Sequence, residues 1–170
     1  FMIQSLKRAF FIGLFVCFVP LFSFAESEKI DFLTEIPARV SGQIDPKDYF
    51  NVPFGIAIKN NVVYVTDLGN TRIVKLDQNT LQYLGEIIIL NKNGKFKQFL
   101  LGRPAFDKEG NLWVSDMEND RIMKIDETTG KIIHQFGSKG DKPGEFHASN
   151  GLAFDDSGAL WVADELNCRI

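Results

Sequence analysis

The chain has 170 residues, of which 45% are hydrophobic and 24% charged, and its formal net charge is −3 at pH 7. Length allows one or two ordinary domains, and the composition is that of a globular protein. The scattered, slightly acidic charge offers no basic face, so a nucleic-acid partner is not expected.

The first residues read as an export signal. Phe1-Met2 leads into a short basic patch, Lys7-Arg8, and an apolar stretch follows from Ala9 to Phe24. Ser23 and Ala25 set small residues at the −3 and −1 positions of a cleavage site, so 1–25 is read as a secretory signal peptide. The stretch is short for a spanning helix, which needs about 20 residues, and Pro20 interrupts it. A lipoprotein anchor through Cys17 is disfavoured by the bulky Val16 before it. Membrane contact is therefore expected only through the export signal, and the mature chain is expected to be secreted, periplasmic or in the cell envelope. Loss of Lys7 and Arg8 with the signal leaves 17 basic and 22 acidic residues.

Residues 26–49 form an N-terminal segment. Ser41–Phe50 parallels Gly137–Phe146 at an offset of 96 residues, which places Ile30–Val40 where a last strand of a repeat unit belongs. It is read as a strand that closes the final unit of a ring.

From residue 50 to 170 the chain repeats itself. Val63–Asp77 (VYVTDLGNTRIVKLD), Leu112–Asp126 (LWVSDMENDRIMKID) and Leu160–Ile170 (LWVADELNCRI) share one pattern. Each apolar run ends in Asp (Asp67, Asp116, Asp164). Asn stands three residues on (Asn70, Asn119, Asn167), and Arg five on (Arg72, Arg121, Arg169). The aspartates are 49 and then 48 residues apart, a period that signals stacked repeats.

Within each unit an apolar leading segment comes first: Phe54–Ile58, Pro104–Asp107 or Asn150–Phe154. A polar turn follows, in which Asn or Gly supplies positive φ. Next comes a run rich in Val, Leu, Tyr and Trp. The Asp-x-x-Asn-x-Arg segment then reverses the chain into Arg72–Leu76 or Arg121–Ile125. Leu84–Leu90 and Lys131–Phe136 end the first two units as outer strands. Four short antiparallel strands per repeat match a propeller blade, and the gaps are too short for crossover helices. The fold class is all-β, a propeller of four-stranded antiparallel blades, with the third blade incomplete.

The recurrence of the Asp/Asn/Arg triplet in every unit points to a structural device, since a catalytic constellation is normally assembled once. Asp and Asn side chains bond nearby backbone N–H groups at a reversal, and Arg pairs with the Asp through its planar fork. Cys168 is alone in the mature part, so no disulfide framework can be drawn from these residues.

These units resemble the NHL repeats, which run roughly as phenylalanine, a spacer, Pro-x-Gly-Ile-Ala, a Gly-containing turn, Tyr-Val-x-Asp and Asn-x-Arg-Ile. Phe50-Asn51-Val52-Pro53-Phe54-Gly55-Ile56-Ala57 carries that opening, and Phe136–Phe146 (FGSKGDKPGEF) is a similar Gly-rich lead-in. The second unit departs from it, with Arg103-Pro104-Ala105 where Gly-Ile-Ala would stand. The resemblance spans about Val40 to Ile170. It implies the N-terminal half of a six-bladed propeller, roughly 290 residues if six repeats close the ring. By the same resemblance the leading functional expectation is a binding scaffold. Loops around the channel, with Phe54, Arg103 and Asn150 at its mouth, would face a protein, peptide or glycan partner, and no cofactor is expected. Some animal NHL propellers bind RNA, but charge and export argue against that here.

The alternative is a metal-dependent propeller enzyme. Ser149–Phe154 resembles a segment of the gluconolactonase-like propellers in which an Asn before Gly ligates a divalent metal, so Asn150 would be the ligand, with calcium or zinc as cofactor. The equivalent positions, Phe54 and Gly102, carry no ligand. Another resemblance is to zinc lyases that cleave peptidyl-α-hydroxyglycine with channel histidines. Of the two histidines here, His134 falls in an outer strand and His147 in the loop entering the third blade, whereas a zinc site needs three or four converging ligands. No P-loop, dinucleotide glycine motif, His-Glu-x-x-His or nucleophile elbow is present.

Overall fold

A computed structural model describes residues 50–91, 93 and 99–170. The signal peptide read at 1–25 and the closing strand read within 26–49 lie outside the described residues. The described residues form ten strands: β1 (Pro53–Lys59), β2 (Val62–Asp67), β3 (Arg72–Asp77), β4 (Tyr83–Ile88), β5 (Leu101–Phe106), β6 (Leu112–Asp116), β7 (Arg121–Ile125), β8 (Ile132–Phe136), β9 (Ser149–Phe154) and β10 (Leu160–Asp164). They form two four-stranded sheets in the order β1-β2-β3-β4 and β5-β6-β7-β8, and a two-stranded sheet of β9 and β10, all antiparallel. Sequential up-and-down sheets of this kind, packed face to face, are the blades of a β-propeller.

The hairpins form because their turn residues accept positive φ. Asn60 and Asn61 adopt φ 51° and 62°, while Gly110 and Gly158 take 80° and 88° at the matching turns. The side-chain period of two then gives each second strand two apolar faces, as a sheet enclosed between neighbours requires. Tyr64, Ile73, Ile87, Leu101, Leu112, Val114, Met123 and Ile125 make one buried cluster between the first and second blades. Val63, Val65, Val74 and Leu76 make another on the opposite face of the first blade.

Two devices recur at the blade junctions. An aromatic in β2 and one in β6 meet the aromatic that ends the next inner strand: Tyr64 lies 4.8 Å from Phe106 and Trp113 lies 6.0 Å from Phe154. The same tryptophan is held by an aspartate of the preceding turn, Trp113 Nε1 donating to Asp107 at 2.9 Å and Trp161 Nε1 to Asp155 at 3.0 Å. In the first blade Lys59 and Tyr64 replace that pair and reach across the junction. Both donate to Glu127, the Tyr64 hydroxyl at 2.7 Å. Burial, then the hydrogen bond to Glu127, pushes the Tyr64 phenol well above its ordinary range.

Most strands match the sequence reading to within one residue at each end, and two differ by more. The outer strand of the first blade is Tyr83–Ile88 rather than Leu84–Leu90. The second inner strand starts at Leu101 rather than Pro104. Pro104 is tolerated inside β5 because β5 is the inner edge of its sheet, where a missing N–H breaks no ladder bond.

Candidate functional site at the channel mouth

The inner strands β1, β5 and β9 lie side by side, and each is irregular at the same point. Register shifts fall between Pro53 and Gly55, between Leu101 and Pro104, and opposite Ala163/Asp164 in β9. A bulge inserts a residue and re-aims the side chains around it, a common feature beside binding sites. The pairings Gly55↔Thr66 and Gly151↔Ala163 place Phe54, Gly102 and Asn150 at equivalent positions. Arg103 then stands where the flanking strands carry Gly55 and Gly151.

Two of these glycines bring the strands together. A Cβ on Gly55 would lie 2.7 Å from the Cα of Arg103 and 2.9 Å from its Cγ. On Gly102 it would lie 2.1 Å from Ser115 Oγ and 2.7 Å from the carbonyl oxygen of Asn150. Bare backbone at both positions lets the stem of Arg103 cross β1 and lets β9 press against β5.

The three predicted mouth residues meet in part. The Arg103 guanidinium lies 5.9 Å from the centre of the Phe54 ring, an arrangement worth about 0.5–1 kcal/mol at an exposed site. Asn150 is half-buried and faces other partners. Its carbonyl accepts from Ser115 Oγ at 3.2 Å, and its side-chain Nδ2 donates to Glu165 Oε2 at 2.6 Å. Glu165 escaped the sequence reading. The signal was present, since the matching residues after the motif aspartate in the other blades are Leu68 and Met117.

The motif corners sit at the same end of each blade as the bulges. Asp67 accepts from the backbone N–H of Asn51, from Asn70 Nδ2 and from Arg72 Nε, at 2.7–2.8 Å. Arg72 passes on to Glu86, at 2.7 Å. Asp116 accepts from Asn119 and Arg121, and Arg121 passes on to Gln135. Asp164 accepts from the N–H of His147, Asn167 Nδ2 and Arg169 Nε, at 2.7–2.8 Å. Arg169 continues to the carbonyls of Asp141, Lys142 and Glu145, which ties the lead-in loop to the third blade. Asp67, Asp116 and Asp164 are at most 2% exposed. Burial alone would raise the Asp164 carboxyl, but its hydrogen bonds from Asn167, His147 and Arg169 outweigh that and hold it below the carboxylate range. Burial lowers the Arg72 guanidinium, and its bonds to Asp67 and Glu86 raise it further than burial lowers it.

Around the bulges the rim is apolar. Val52 (57%), Leu166 (58%), Leu100 (40%) and Phe54 (38%) are all exposed there. Backbone bonds from Leu68 N–H to Val52, from Met117 N–H to Leu100 and from Leu166 N–H to His147 tie each corner turn to the lead-in of its inner strand. His147 contributes only backbone to these bonds, and His134 lies against Trp113 on the outer part of its blade, 5.9 Å between rings. Cys168 is exposed, and its left-handed φ of 52° matches Thr71 and Asp120 at the other corners. Among the described residues no three His, Cys, Asp or Glu side chains converge as a metal group.

No protein-family model matches the chain. Among solved structures it is similar to a glutaminyl cyclase from Myxococcus xanthus, at TM-score 0.57 and 16% identity over 72% of this chain and 54% of that one. It is also similar to a virginiamycin B lyase from Staphylococcus aureus, at TM-score 0.50 and 19% identity over 72% of this chain and 36% of the lyase. A luciferin-regenerating enzyme aligns at TM-score 0.51 and 22% identity over 71% of this chain and 39% of the enzyme. The chain thus spans about half or less of these propellers. At such identities the likeness establishes the fold, and the fold is a β-propeller of four-stranded blades.

Proposed function

We propose that this chain is part of an exported NHL-type, six-bladed propeller. Its mouth, built from the bulged starts of β1, β5 and β9, is a binding surface for a protein, peptide or glycan. The observation that carries this reading is the exposure of Val52, Phe54, Leu100 and Leu166 at the bulged end of the blades, with Arg103 beside Phe54, because exposed apolar side chains beside a few polar anchors mark an interaction surface. The Asp/Asn/Arg corners beneath belong to the frame that holds the rim. The test is an array of peptides and glycans probed with the wild-type protein, with Leu166→Asp and with Ile133→Asp. Ligands lost in the rim variant and kept in the outer-strand variant are expected. Ligands kept in both would exclude the mouth.

A second reading, a metal-dependent hydrolase or lyase holding calcium or zinc at Asn150, has one favourable observation, the Asn150–Glu165 pair of oxygen-bearing side chains. The fit is poor. Both groups come from the third blade, the Asn150 amide is already bonded to Glu165, and the equivalent Phe54 and Gly102 offer no donor oxygen, whereas calcium takes 6–8 oxygens. Elemental analysis of purified protein decides the point. One calcium or zinc per chain, lost in Asn150→Ala, would put the enzyme first.

A further inference from the structure

Arg103 departs from every other arginine among the described residues. Arg72, Arg121 and Arg169 each close on a motif aspartate. Arg103 is exposed and, among the described residues, has no carboxylate within ion-pair distance, while its guanidinium lies over the ring of Phe54. It also occupies a repeat position that is Gly55 in the first blade and Gly151 in the third, so nothing in the blade frame demands a cation there. The close approach at Gly55 positions its stem against β1. A flat guanidinium laid on an aromatic ring at a rim keeps its N–H fork turned toward solvent and loses little entropy on binding.

We propose that Arg103 is the anion anchor of the mouth. Its guanidinium takes a carboxylate of the ligand in a two-point hydrogen bond, and Phe54 takes the apolar group next to that carboxylate. This rests on the reading of the mouth as a binding surface and names the ligand chemistry. A singly charged carboxylate is favoured over a phosphate dianion because Glu118 and Glu165 stand in the same corner loops and the whole chain is acidic. Glu165 is engaged by the Asn150 amide rather than by Arg103, which leaves the fork free for a ligand.

The experiment titrates the full chain with phenylacetate, phenylacetamide and inorganic phosphate, followed by calorimetry and by amide shifts around β1 and β5. Phenylacetate is expected to bind the wild type. It is expected to weaken by about tenfold or more in Arg103→Gln and to recover in part in Arg103→Lys, which keeps the charge but not the fork. The neutral amide is expected to bind the wild type as weakly as phenylacetate binds Arg103→Gln. An unchanged melting temperature in Arg103→Gln separates lost recognition from lost folding. Equal affinity of phenylacetate for wild type and Arg103→Gln overturns the anchor, as does saturable binding of none of the three probes. Tighter binding of phosphate than of phenylacetate overturns the choice of carboxylate. Equal binding of phenylacetate and phenylacetamide, with shifts confined to Phe54 and its neighbours, removes the anchor and leaves the mouth as a binding surface. Shifts lying wholly outside the inner strands overturn both.

Discussion

The corners and the mouth occupy the same end of every blade, yet they treat repetition in opposite ways. At the corners the three units carry one answer, Asp, Asn and Arg, bonded by the same atoms. At the mouth the equivalent bulge positions carry Phe54, Gly102 and Asn150, and the next position carries Gly55, Arg103 and Gly151. What a blade needs in order to fold is demanded of every blade. A position where the frame is indifferent is free to differ from blade to blade, as these do. In a repeat protein, therefore, the informative residue is the one that breaks the pattern at an exposed position, as Arg103 does at its bulge and Glu165 does in the turn after Asp164.

The comparison breaks if a corner can be removed without loss of stability. In Asp67→Ala the guanidinium of Arg72, 5% exposed, keeps Glu86 but loses its buried partner, and removing one member of such a pair costs about 3–5 kcal/mol. Denaturant unfolding should show that loss, and Asp116→Ala should approach it. Ligand binding lost at unchanged stability would move the triplet from the frame to the site.

The mouth also contains frame, at its glycines. Gly102→Ala drives a Cβ into Ser115 Oγ and the backbone of Asn150, and overpacking of this kind costs about 1–3 kcal/mol. A melting curve within error of the wild type would show that β5 and β9 are free to part.

Asn150→Ala sharpens the comparison from the other side. The Ser115 bond is to the backbone carbonyl and survives, and only the exposed link to Glu165 is lost. The stability change should stay within about 0.5–1 kcal/mol by denaturant unfolding. A loss as large as that at Asp67 would place Asn150 in the frame.

The smallest effect is expected at Trp161→Phe, which removes one donor from Asp155. Bonds from Ser157, then Trp161 and the Ala159 N–H, depress that carboxyl to about 2. Being depressed, Asp155 contributes stability above its unfolded value, about 3.9, and loses it as pH falls toward 2. In the variant its titration, followed by carboxyl chemical shifts, should move up, and the acid-induced loss of stability should shrink. An unmoved titration would mean that the indole bond has no part in holding the carboxyl down.

Much of the frame was legible in the chain because its causes are local. The Asp–Asn and Asp–Arg bonds of a corner join residues three and five apart, and the hairpin turns are two to five residues long, so one strand-turn-strand segment contains them. The strand ends were less legible, because a bulge adds a residue that periodicity alone assigns to the preceding loop. That is why β5 starts at Leu101, three residues before the Pro104 at which the pattern begins.

The amino-acid sequence by itself determined the repeat length, the antiparallel blades and the residues of each corner, since these follow from apolar alternation and short-range hydrogen bonding. Only the tertiary structure decided what meets across blades. Glu127 caps Tyr64 from 63 residues away, Asn150 bonds Ser115 from 35, and Arg103 lies on Phe54 from the neighbouring inner strand. Such pairs carry no spacing rule. The last two arise from how bulged inner strands approach where Gly55 and Gly102 leave no side chain to keep them apart.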